Sequence, residues 1–170
     1  MRNVEASTLR DLASDIELEI TKLIRLETQI ERVKQAIAAE PTQADLFYES
    51  LALKFHNFYT GCEHIFCLVA SELNSGVPTG ADWHKRLLER MSAERDGRRE
   101  VITIQSARGL QEFLGFRHVV RNLYGFELDT ERVDRLLERY TAVWSQVKHD
   151  LQAFVQWLRD LASALENDAH

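Results

Sequence analysis

Ten apolar side chains, Val133, Leu137, Tyr140, Trp144, Val147, Leu151, Phe154, Leu158, Leu161 and Leu165, alternate in steps of four and three without a break. That is the period of one helix face, and a run of this length has no reading as a strand. Asp129, Thr130 and Glu131 supply a capping signal ahead of it. A last helix is therefore predicted from there to about Leu165. Such a helix cannot bury its stripe alone and needs partners of comparable length.

The rest of the chain supplies them. Leu9, Leu12, Ile16, Leu23, Leu26, Ile30, Val33 and Ile37 make a heptad-like seam, interrupted at Glu19, and predict a first helix over 4–39 that Pro41 ends. Thr42 is placed to cap a second helix over 43–74, with Leu46, Phe47, Leu51, Phe55, Phe58, Cys62, Ile65, Phe66, Val69 and Leu73 inward. Its aromatics read as core rather than as a cofactor platform. Gly61 in mid-helix costs up to about 1 kcal/mol against alanine, which the close approach of a neighbouring helix would explain. GVPTGAD, residues 76–82, is the clearest loop, and Asp82 is placed to cap a short helix, WHKRLLERMSAE. The connector Arg95-Asp96-Gly97-Arg98-Arg99 reads as solvated loop charge. A central helix then begins at Ser106 or Gly109. Seven Gly and two Pro in 170 residues leave little material for turns. The expectation is an all-α, up-and-down antiparallel bundle with one short extra helix, forming a single domain over 1–170.

Several chemistries find no support. A metal site could be imagined from His56, Cys62, His64 and Cys67, but only His64 and Cys67 share a face, and no paired CxxC or HExxH spacing occurs. No metal and no cofactor are expected. No Ser or Cys occupies an elbow motif, and no glycine loop is built to cradle phosphate. Cys62 and Cys67, five apart in a helix, cannot bridge each other. With no signal-peptide pattern and no apolar run of membrane-spanning length, the chain is expected to be cytoplasmic with reduced thiols.

The net charge of −6 argues against a protein that coats nucleic acid over its whole surface. Residues 81–122 nonetheless hold nine Lys/Arg against six Asp/Glu. Within them, GLQEFLGFRHVVRNLYGF, residues 109–126, divides into two faces when wound as a helix. Phe113, Phe116, Val119, Val120 and Leu123 fall on one arc. Arg117, His118, Arg121, Asn122 and Gly125 fall on the other, with Tyr124 at its edge. The nearest acids, Glu112 and Glu127, are expected towards the apolar side. A polar arc with two arginines and no in-helix acid suits an anion, phosphate above all. The same residues could equally pair with acids from neighbouring helices as a satisfied network.

The segment RHVVRNLYGF, after a helical LGF and inside a helical bundle, resembles the HEPN family, in particular the HepT-like toxins encoded beside minimal nucleotidyltransferases. Their signature is Arg, usually Asn, three residues, His, one residue, Tyr. Arg117 matches the Arg and Tyr124 the Tyr, while His118 stands at the Asn position and Asn122 at the His position. The WHKRLL stretch around His84 and the helix order are also similar, so the resemblance covers most of the chain. It implies a metal-independent endoribonuclease that works as a homodimer, with two motif helices forming one composite site. In such a site the Arg stabilises the scissile phosphate and a His assists proton transfer; Tyr124 would be the residue adenylylated by a nucleotidyltransferase antitoxin. Because Asn122 cannot transfer a proton as imidazole does, the exchange gives that role to His118. In a helix it lies about 60° from Arg121, and the site would recruit Arg121 beside Arg117. A silent HEPN-type partner of a nucleotidyltransferase or of RNA is the second reading, and a bundle that only dimerises through its seams is the third.

Overall fold

A computed structural model describes residues 4–121 and 128–168, the side chains of 45, 118–121 and 168 excepted. Its described residues form five α-helices: α1 (Ala6–Ala39), α2 (Ala44–Leu73), α3 (Trp83–Met91), α4 (Ile104–Arg121) and α5 (Thr130–Asp168). A 3-10 turn at Pro41–Gln43 separates α1 from α2. The proline ends α1 as expected, but Thr42 lies inside the turn and the residue before α2 is Gln43, which makes no side-chain cap. Asp129 does cap α5, accepting the backbone N–H of Arg132 at 3.1 Å. The start of α4 lies earlier than Ser106 or Gly109. Thr103 sets it, its hydroxyl accepting the N–H of Ser106 at 3.2 Å. Gly109 therefore lies inside α4, facing Val143 of α5.

Residue pairs give the sense of packing. Arg10 pairs with Glu166, Arg159 with Glu17, and Lys148 with Glu27, so α1 and α5 run antiparallel. Lys54 bonds Gln29, and Gly61 abuts Leu23, so α1 and α2 do likewise. Ser106 with Asp150 and Arg139 with Glu112 set α4 antiparallel to α5. These senses complete an up-and-down bundle of four long helices, with α3 as the short extra one. A Cβ at Gly61 would stand 2.7 Å from Leu23 Cδ2, which is the close approach its position predicts.

The core is aromatic at its centre. Phe55, Phe58, Phe113, Tyr140 and Trp144 are buried and meet mainly edge to face, with Phe58 at 5.1 Å from both Phe113 and Tyr140. Trp144 donates its indole N–H to Glu27 of α1 at 2.8 Å. The α1 and α5 seams bury as read along most of their length; Ile20 takes the place that Glu19 vacates, while Leu165 remains 38% exposed at the far end. Leu46 does not bury. It is 72% exposed at the start of α2, and Phe47 is half-buried. Glu112 is exposed rather than turned to the apolar side, and pairs with Arg139.

Candidate functional site

The start of the central helix is tied to α5 by one carboxylate. Asp150, buried, accepts the Thr103 N–H at 2.8 Å, the Thr103 hydroxyl at 2.8 Å and the Ser106 hydroxyl at 2.6 Å on one oxygen, with Gln146 at 3.0 Å on the other. Burial alone would raise its pKa, but these bonds outweigh burial and hold the carboxyl below its ordinary value. The start of α4 is thereby fixed, and Arg117 follows about three and a half turns on.

Asp82 stands at the start of α3 but makes no side-chain cap, and the helix is brought alongside by its flanks. Its apolar face, Leu87, Leu88 and Met91, is buried together with His84, while Lys85, Arg86 and Glu89 face solvent. Arg86 ties back to the carbonyl of Thr79 in the preceding loop. After α3 the chain reverses through a two-residue turn at Asp96 (φ 54°) and Gly97 (φ 82°), where Arg95 and Arg98 exchange both backbone hydrogen bonds at 2.9 Å. Arg98 is not solvated loop charge. It is 1% exposed and donates to Asn74 Oδ1 at 3.3 Å, to the Arg90 carbonyl at 3.0 Å and to the Arg99 carbonyl. Burial lowers its pKa, and it works as an internal staple between α2, α3 and the connector.

Three helices then converge on one cluster. Glu63 of α2 is 5% exposed and His84 of α3 8%. His84 Nδ1 lies 2.5 Å from Glu63 Oε2. Arg117 Nη1 lies 3.2 Å from Glu63 Oε1 and 3.4 Å from Oε2, and 2.9 Å and 3.3 Å from His84 Nδ1 and Nε2. The Trp83 ring covers His84, with centroids 3.7 Å apart. Arg117 Nε and the Tyr59 hydroxyl are buried without a hydrogen-bond partner among the described residues. Burial raises the Tyr59 phenol far above its ordinary value, with Glu63 adding and Arg117 opposing, so Tyr59 stays neutral and cannot act as a base. Cys62 and Cys67 are free thiols, both raised by burial; for Cys67, Glu63 adds and Arg117 opposes.

Of the residues singled out from sequence, Arg117 is thus placed at the junction of α2, α3 and α4. His118 and Arg121 belong to α4, but their side chains lie outside the described residues, as do Asn122 and Tyr124 entirely. The absence of an in-helix acid does not leave Arg117 uncompensated, because α2 supplies Glu63. Glu63 belongs to no motif, and the resemblance takes in His84 only as part of the WHKRLL stretch, with no role at the site. A signal for both was nevertheless present: each falls on an inward stripe, Glu63 between Tyr59 and Phe66, His84 before Leu87 and Leu88. An ionisable group on such a stripe has to find a partner. His64, by contrast, is exposed, 3.9 Å from Glu19. Among the described residues no group of three His, Cys, Asp or Glu side chains could hold a metal ion. No described helix is long and apolar enough to cross a membrane.

A family profile described as "HepT-like protein" matches residues 50–158, which takes in α3, α4, most of α2 and most of α5. No curated protein and no solved structure matches the chain.

Proposed function

The chain belongs to the HepT-like protein family, and on that premise we propose that it is the toxin of a toxin–antitoxin pair, an endoribonuclease that works as a homodimer without a metal ion. The observation that carries this reading is Arg117, a guanidinium on the motif helix held at a three-helix junction against an imidazole. In the proposed reaction the ribose 2′-oxygen gives its proton to His118 as it attacks phosphorus. The P–O5′ bond breaks, the 5′-oxygen takes up a proton, and Arg117 and Arg121 carry the negative charge that develops on the phosphate. Two copies of Arg117, His118, Arg121 and Asn122 would line the composite cleft. Tyr124 is the proposed site at which a nucleotidyltransferase antitoxin silences the toxin by adenylylation.

A second reading is favoured by one contact. The Arg117–Glu63 ion pair already satisfies part of the guanidinium, as a non-catalytic partner of RNA or of a nucleotidyltransferase would allow. One experiment separates the two. Wild-type chain, Arg117→Ala and His118→Ala are expressed with and without the product of the adjacent gene, and growth, RNA integrity and intact mass are read. The nuclease reading expects growth arrest and RNA cleavage by wild type alone, and loss of either by about 100-fold or more in both variants. Rescue should come with added adenylyl mass on Tyr124. Equal behaviour of all three chains would leave the silent partner.

A further inference from the structure

The motif helix lacks a histidine where HEPN-type nucleases usually carry one, yet an imidazole touches the motif arginine all the same. It comes from α3, 33 residues earlier, and Glu63 of α2 holds it. We propose that Glu63 and His84 are positioning residues for Arg117, a seat that grips one guanidinium nitrogen and fixes the orientation in which the group meets an RNA phosphate. This assignment rests on the nuclease reading above.

The contact pattern distinguishes a seat from a competitor. A carboxylate standing in for phosphate would engage the guanidinium fork through two parallel N–H···O bonds. Here both Glu63 oxygens and both His84 nitrogens approach the same atom, Nη1. The fork is not spanned. The seat is also stiff: Glu63 lies well inside a 30-residue helix, and His84, in the first turn of α3, is backed by Trp83. An arginine side chain otherwise carries about 2 kcal/mol of rotamer entropy, and small misplacement of a charge-stabilising group costs up to about 100-fold in rate. Sharing one carboxylate between a guanidinium and an imidazole leaves neither cation-capable group buried alone.

The test compares wild type with Glu63→Gln, His84→Phe and, as a control on the exposed face of α3, Lys85→Gln. Helicity and melting confirm folding; His84→Asn replaces His84→Phe if the latter melts early. Single-turnover cleavage and binding are measured on a labelled single-stranded RNA of mixed sequence. In parallel, the Arg117 guanidinium resonances, assigned by their loss in Arg117→Lys, are followed by NMR. The seat predicts a rate about 10- to 100-fold lower in the Glu63 and His84 variants, with RNA affinity and the control unchanged. It also predicts Nη signals that are distinct in wild type and merge in the variants. Full rate in either variant overturns the assignment. A faster Glu63→Gln overturns it too, because Glu63 would then be an internal rival of phosphate. If wild type leaves the RNA intact, the nuclease reading fails and the resonances alone decide: merging supports the seat, unchanged signals remove it.

Discussion

Arg117 could be named from the sequence because its signal is local, an Arg-His pair one helical turn before another arginine. Its partners could not, because Glu63 and His84 lie 54 and 33 residues away and only packing brings them in. The same limit hid Arg98. A run of arginines looks solvated until three acceptors close around one of them. Asp150 offers a test at this scale. Its carboxyl titrates below the ordinary 3.8 in the folded protein, so its stabilising contribution is complete above that value and fades as pH falls through the folded pKa. Asp150→Asn should therefore cost about 1–2 kcal/mol at neutral pH, read from urea midpoints, and the gap to wild type should narrow at pH values below about 3.8. A constant gap would show that the charge on Asp150 does not matter.

Helix existence and sense were legible because the seams of α1 and α5 run for many turns. Boundaries were less so where a glycine resembled a start. Gly109 is instead a contact glycine: a Cβ there would meet Val143 at 2.9 Å and 3.1 Å, and a valine is stiff about χ1. At Gly115 the nearest atom is the flexible end of Arg132 at 3.4 Å. Alanine gains up to about 1 kcal/mol of helix propensity at either position. That gain should survive at 115 and be outweighed at 109 by about 1–3 kcal/mol of overpacking. Gly115→Ala is expected to raise Tm and Gly109→Ala to lower it in thermal unfolding. Shifts of the same sign would mean that α4 and α5 do not approach this closely.

Across the whole molecule, the matched segment 50–158 leaves out α1, whose Leu9, Leu12, Ile16, Leu23 and Ile30 are buried against the rest. A chain lacking residues 1–40 would bare the stripes of α2 and α5. It should aggregate or lose cooperative unfolding, as size-exclusion chromatography and denaturant titration would report; a monomer with a sharp transition would show the shorter unit to be self-sufficient. The bundle architecture was readable because all its long stripes had to be paired, whereas the junction where α3 meets α2 and α4 was not, since short loops and single polar contacts place it. Arg10 with Glu166 and Glu17 with Arg159 fasten α1 to α5. On the ribosome, α1 waits for α5, and so does the start of α4 that Asp150 anchors. The bundle therefore closes only once α5 has been synthesised, and the junction of α2, α3 and α4 gains its anchor to α5 after its own three helices have already been made.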